Sequence, residues 1–231
     1  MWADEFDGEA LDRSRWEVQL GNGFHDPRAG VWVPGWGNGE LQSYTDHKDN
    51  LSLREGCLVI RALRQASPDG HAYTSARVRT RAGSGVSLFS QCYGRFECRA
   101  RMTAGQGLWP AFWMLPCEER YGGWAASGEI DVMEHLCGTQ PNVDYVTIHG
   151  NRKTTSLDWS LGTTFTSSTD LGLAYHTYAV LWKVNSITFF YDGIQGPTYT
   201  PKNLTKTQIW EFNKPEFLLL NMAIGGNWPG N

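Results

Sequence analysis

The sequence predicts an all-β fold, a sandwich of antiparallel sheets. Three observations carry it. Short apolar runs alternate with polar residues at period two. Gly, Pro, Asn, Asp and Ser punctuate them at short intervals. No stretch keeps a helical period over three turns. Candidate strands, in order, are 51–63 (LSLREGCLVIRAL), 73–81 (YTSARVRTR), 94–102 (GRFECRARM), 109–115 (WPAFWML), 128–136 (GEIDVMEHL), 143–149 (VDYVTIH), 176–182 (HTYAVLW), 186–192 (SITFFYD) and 216–224 (EFLLLNMAI). The pair 176–182 and 186–192 is joined by Lys183, Val184 and Asn185 and reads as a hairpin. No linker, internal repeat or low-complexity tract interrupts the 231 residues, so residues 1–231 read as a single domain.

Composition narrows the function classes. Twenty Lys plus Arg stand against 24 Asp plus Glu, a net charge of −4, which gives no footprint for nucleic acid or an anionic surface. No apolar run reaches a membrane span. Met1 leads directly into WADEFDG, so no leader is visible and the start reads as that of a mature domain. Five cysteines, Cys57, Cys92, Cys98, Cys117 and Cys137, contain no C-x-x-C pair; they allow one or two disulfides and leave a thiol over. Two sequons, Asn50-Leu51-Ser52 and Asn203-Leu204-Thr205, matter only on a eukaryotic secretory route.

Aromatic residues are abundant, with 11 Trp, 9 Tyr and 10 Phe. Core packing accounts for part of them. Trp32, Trp36, Trp109, Trp124 and Trp228, however, lie in or beside glycine-rich loops. That placement suits rings displayed along a cleft, where an apolar face with a polar handle can stack on a sugar.

The segment GEIDVMEHL carries the chemistry. Side chains at i and i+2 share a face of a strand, so Glu129 and Asp131 point the same way. Glu134, five residues from Glu129, falls on the opposite face of a regular strand. One extra residue at Val132-Met133, a β-bulge, returns it to the first face. The two glutamates then stand about four regular positions apart, roughly 13 Å between Cα atoms. Side chains leaning inward bring the carboxyls to about 5 Å, the spacing of a retaining glycosidase, which needs one ionised and one protonated carboxyl. Asp131 between them can orient the attacking group and tune the pair. Calcium loops are rich in Asp, Asn and Gly, and solvated edges mix in Lys; this segment is apolar between its acids. His149, in the next candidate strand, reaches the acidic face if 143–149 pairs with 128–136. His135 faces the other way and reads as a packing residue.

These residues resemble glycoside hydrolase family 16, and within it the laminarinases. The signature E-x-D-x-x-E is matched by Glu129-Ile-Asp131-Val-Met-Glu134. DEFDG (4–8), GNGELQSYT (37–45), SARVRT (75–80), GQGLWPAFWMLP (105–116) and NMAIGGNWPG (221–230) also match, in family order over nearly the whole chain. The resemblance implies a β-jelly-roll sandwich of two curved antiparallel sheets with a substrate cleft on the concave face. It implies Glu129 as nucleophile, Glu134 as acid/base and Asp131 as assisting acid. It further implies that Trp109 and Trp113 line the donor side, that Asn38, Glu40 and Arg77 bond sugar hydroxyls, and that Trp228 covers part of the groove. His149 joins this substrate-binding set.

The family usually continues past GGNWPG with a further strand, and here that C-terminal strand is missing from the pattern. That strand normally supplies an Asp to a structural calcium; the other ligands, backbone carbonyls, fall near Glu5 and Gly56. GGWAAS at 122–127 stands where the family often has a Pro, with no functional meaning attached. The expected activity is retaining endo-hydrolysis of β-1,3-glucan by a secreted monomer that requires no cofactor and partners with neither nucleic acid nor membrane. Alternatives are a mixed-linkage glucanase, another family polysaccharide hydrolase or transglycosylase, and a non-catalytic glucan-binding protein.

Overall fold

The computed structural model describes residues 1–152 and 158–230. The chain opens with β1 (Glu17–Gln19), the hairpin β2 (Gly23–Asp26) and β3 (Val31–Pro34), then β4 (Gln42–Tyr44), β5 (Leu51–Arg54) and β6 (Cys57–Ile60). It continues through β7 (Tyr73–Ser75), β8 (Arg77–Arg79), β9 (Gly94–Ala100), β10 (Leu108–Pro116), β11 (Glu129–Glu134) and β12 (Val143–Asn151). The last strands are β13 (Asp158–Thr166), β14 (His176–Lys183), β15 (Ser186–Tyr191), β16 (Ile194–Tyr199) and β17 (Glu216–Ile224). A seven-stranded sheet in the order β1-β8-β17-β10-β11-β12-β13 faces a four-stranded sheet in the order β16-β15-β14-β9. Every neighbour pair in these two sheets is antiparallel.

The period-two pattern explains the layering. Phe112, Met114, Ile130, Val132, Val146, Ile148 and Leu218 of the large sheet meet Phe96, Tyr178, Val180, Trp182, Ile187 and Phe189 of the small one in one core cluster. Each such side chain contributes roughly 1.5–3 kcal/mol by leaving water. The residues between them, such as Trp109, Trp113, Asp131 and His149, are thereby turned to the opposite face of the large sheet.

Four expectations are corrected. The run 51–63 is broken at Glu55 (φ 52°) and Gly56 (φ 69°), whose left-handed backbones fold it into the β5–β6 hairpin. The run 73–81 divides at Ala76: β7 pairs in parallel with β4, while β8 joins the large sheet. All five cysteines are free thiols, so the sandwich holds itself by burial rather than by disulfides. The strands β1 to β4, β13 and β16 lie outside the predicted set. β13 ends the large sheet with a mostly exposed, Thr-rich sequence, and β16 ends the small sheet and contains Gly196 and Pro197. An edge strand tolerates such residues because one side of its backbone needs no partner.

Candidate active site

The acidic strand is bulged where its sequence spacing requires. Against β12, Asp131 pairs with Thr147 and Glu134 with Tyr145: three steps on β11 match two on its partner. Against β10 the extra residue falls between Asp131 and Met133. Val132 and Met133 both enter the core, at 0% and 3% exposure. Burying two apolar side chains exceeds the loss of about one hydrogen bond, worth about 1 kcal/mol, at the bulge. The result is that Glu129, Asp131 and Glu134 share the face turned away from the core.

Each glutamate accepts an indole N–H. Trp124 Nε1 donates to Glu129 Oε2 at 2.7 Å, and Trp109 Nε1 to Glu134 Oε1 at 3.0 Å. Glu129 pairs in register with His149. His149 Nε2 lies 3.0 Å from Asp131 Oδ2 and 3.9 Å from Glu129 Oε1. Burial, then the negative charge of Asp131, pushes Glu129 up to about 8, opposed by His149, the Trp124 bond and Arg77. Burial pushes Asp131 to about 8 as well. Glu134 is driven well above the usual carboxylate range by burial and by the charges of Asp131 and Glu129. Protons are therefore held at the cluster, with the ionised form best supported at Glu129, where an indole, an imidazole and a guanidinium face it.

The other predicted site residues divide into two groups. Trp109 and Trp113 project from β10, and Trp228, 42% exposed, sets its ring edge-on to Trp109 and to Tyr145 at centroid distances of 5.4 and 4.8 Å. Asn38 is exposed at the groove margin, and its loop bonds the Trp228 loop through Asn227 N to Asn38 O at 2.8 Å. Arg77 and Glu40 lie deeper. The Arg77 guanidinium is held between the rings of Trp36 (4.3 Å) and Trp113 (4.7 Å), and its Nε donates to Gln19 Oε1 at 2.7 Å. Glu40, 6% exposed, accepts from Gln42, Tyr44 and Asn38. Tyr44 OH in turn receives Asn221 Nδ2, whose Oδ1 accepts from Trp113 Nε1 at 2.7 Å. Glu40 thus supports the floor of the groove from beneath.

Trp124, Tyr145, Asn221 and Gln19 are site residues that sequence reasoning did not assign. Trp124 carried a signal, a Trp among glycines five residues before Glu129. Asn221 carried another, a polar residue inside the apolar run EFLLLNMAI. For the calcium expectation at Glu5 and Gly56, Asp7 Oδ1 lies 3.6 Å from where a Cβ on Gly56 would sit. That brings one carboxylate to the turn, whereas calcium takes six to eight oxygens.

Comparison with known proteins identifies the family. The family model for glycosyl hydrolases family 16 matches residues 34–231. A β-glucanase of Rhodothermus marinus is 37% identical, over 100% of this chain and 77% of its own. Glucan endo-1,3-β-glucosidase A1 of Niallia circulans is 34% identical over 100% of this chain, which spans 34% of that longer protein. The crystal structure of the Rhodothermus marinus laminarinase superposes with a TM-score of 0.84 at 34% identity, covering 100% of this chain and 87% of the other.

Proposed function

The chain belongs to glycoside hydrolase family 16, and from that premise we propose that it hydrolyses β-1,3-glucan internally, with retention, through Glu129 and Glu134. The observation that carries this reading is the bulged strand, which gathers three carboxyls on one face, where β10 and the loop before β11 each bring an indole donor to one glutamate. The relatives named above are glucanases, and they supply the substrate class.

The mechanism follows from the two environments. Glu129, with Trp124, His149 and Arg77 facing it, attacks the anomeric carbon as a carboxylate. Glu134, kept protonated by burial and by the charges of Asp131 and Glu129, passes its proton to the glycosidic oxygen as that bond breaks. A glycosyl ester on Glu129 results. Glu134, now ionised, takes a proton from water as the water attacks the anomeric carbon and breaks its bond to the Glu129 oxygen, which restores both carboxyls and releases the sugar with its configuration retained. Asp131, between the two glutamates, orients Glu129 and tunes its charge, and His149 stands 3.0 Å from Asp131 Oδ2. Trp109, Trp113 and Trp228 stack on sugar faces, Asn38 reaches hydroxyls at the margin, and Arg77 and Glu40 hold the floor. Family members generally need no cofactor. Structural calcium near Glu5 and Gly56 is tested by melting the protein in EDTA and in calcium, which should separate the curves if the ion is bound. A polymer substrate supports the proposal that the enzyme acts outside the cell, which fractionation of the source culture tests.

Product analysis on laminarin, lichenan and agarose is the test. Short β-1,3-oligosaccharides of the β anomer should appear first from laminarin. Cleavage of lichenan or agarose without laminarin would replace the substrate assignment. Glucan binding without turnover would make the chain a recognition protein.

A further inference from the structure

One corner of the cleft has the geometry of a cation site. Glu129, Asp131 and His149 each offer a ligand atom, and these atoms lie within 4.8 Å of one another, the sole such group among the described residues. Asp131 is 3% exposed, and its Oδ2 has no hydrogen-bond partner. His149 Nε2 approaches that oxygen to 3.0 Å without hydrogen-bond geometry. A buried carboxylate oxygen without a hydrogen-bond partner, beside an imidazole nitrogen and a second carboxylate, is one that a cation can satisfy. Zinc bonds of about 2.1 Å in tetrahedral array set ligand atoms about 3.4 Å apart. The distances from Nε2, 3.0 Å to Asp131 and 3.9 Å to Glu129, bracket that spacing.

The donor set chooses the metal. One imidazole with two carboxylates suits zinc and its first-row neighbours, whereas magnesium and calcium prefer oxygen alone. A three-residue set leaves a coordination position for water, and His149, 24% exposed in its side chain, keeps the corner open to the groove. We infer that Glu129, Asp131 and His149 form an inhibitory binding site for a single zinc-class divalent cation, which excludes glucan while it is bound. The ion would neutralise the clustered carboxylates and occupy the lone pair that Glu129 needs for attack. Its binding stands without any assumption about activity; its inhibitory effect rests on the glycosidase reading.

The test uses the whole chain, stripped with EDTA and titrated with zinc chloride by calorimetry. One site is expected, weakened at least about tenfold in His149→Gln and unchanged in His47→Ala, an exposed histidine near Asp49. If His149→Gln fails to fold by circular dichroism, Asp131→Asn serves in its place. A crystal soaked in zinc should show an anomalous peak among the three residues. With laminarin as substrate, zinc should raise apparent KM and leave kcat unchanged. A peak confined to the thiols, or an isotherm indifferent to both substitutions, overturns the site. Zinc bound at this corner in a protein inert on laminarin would sink the glycosidase reading alone. Cleavage without zinc binding there would sink the metal site alone.

Discussion

Glu129 and Glu134 each receive one indole N–H, yet the two indoles are held in different ways. Trp109 belongs to β10, and its backbone is locked opposite Ala223 of β17 in a continuous nine-pair ladder. Trp124 lies in the irregular segment before β11 and is 64% exposed. That segment is tied by side chains: Ser127 Oγ donates to Gly122 O at 2.7 Å, and Tyr121 N donates to Ser127 Oγ at 3.1 Å. Arg28, from the turn between β2 and β3, adds a bond from Nε to Glu119 Oε2 at 2.7 Å and another from Nη2 to Glu119 O at 2.8 Å. The proposed acid is therefore served by sheet register, and the proposed nucleophile by a latched loop. A ladder resists displacement collectively, whereas a loop held by a few half-exposed bonds can open locally.

Substitutions should expose this asymmetry, beginning with the carboxyls themselves. Glu129→Gln and Glu134→Gln should each lower kcat on laminarin by at least about a thousandfold while glucan affinity stays near the wild-type value. Retained turnover in Glu129→Gln would remove the nucleophile assignment. Next come the donors. Trp109→Phe and Trp124→Phe each delete a bond to a carboxylate, worth about 1.5–3 kcal/mol, or about 10- to 150-fold in kcat/KM. They should differ in pH dependence. Each bond lowers the pKa of its own glutamate. Trp124→Phe should raise the acid limb of the pH–rate profile, and Trp109→Phe the alkaline limb. Identical shifts would show that the cluster titrates without distinct roles.

Stability should respond oppositely to activity. Asp131 is raised to about 8 in the fold, far above its unfolded value, so the native state binds the extra proton between those values. Its contribution is complete below the unfolded pKa and is lost as pH rises toward 8. Asp131→Asn should therefore gain in Tm over the wild type as pH goes from 5 to 8, while losing activity. A constant difference across that range would contradict the burial of a titrating group here. The smallest effect is at the latch. The Arg28–Glu119 pair is about half exposed, and such pairs contribute about 0–1 kcal/mol. Arg28→Ala should lower kcat/KM a few-fold, shift the acid limb in the direction of Trp124→Phe, and leave the alkaline limb in place.

The bulge provides a separate check on the strand. Deleting Met133 should return β11 to regular alternation and keep the three acids on one face. The loss of a core side chain should destabilise the protein by about 2–5 kcal/mol, read from denaturant unfolding. An unfolded product would show that the bulge does more than set the face.

Much of this site was legible because strand geometry has a strict period. The two-then-three spacing of Glu129, Asp131 and Glu134 demanded an added residue, and the pairing of Asp131 with Thr147 and Glu134 with Tyr145 contains it. The pairing of Glu129 with His149 was likewise implied by adjacent strands. The bond from Trp124 to Glu129 was not legible, because GGWAAS has no period and nothing local directs an indole toward a carboxylate five residues on. The role of Glu40 was misplaced for a related reason. Its partner Tyr44, four residues on, is bonded in turn by Asn221, 177 residues from Tyr44, and sequence gives no measure of whether an acid sits above or below a sheet.

By itself the sequence determined the all-β class, the core-facing alternation, the acidic face and its bulge, since each depends on backbone periods that local residues set. Only the tertiary structure decided which donor holds each glutamate, which acids stand buried beneath the groove, and that His149 Nε2 lies 3.0 Å from Asp131 Oδ2. Those are contacts between segments far apart in the chain, fixed by how two sheets and their loops close over one core.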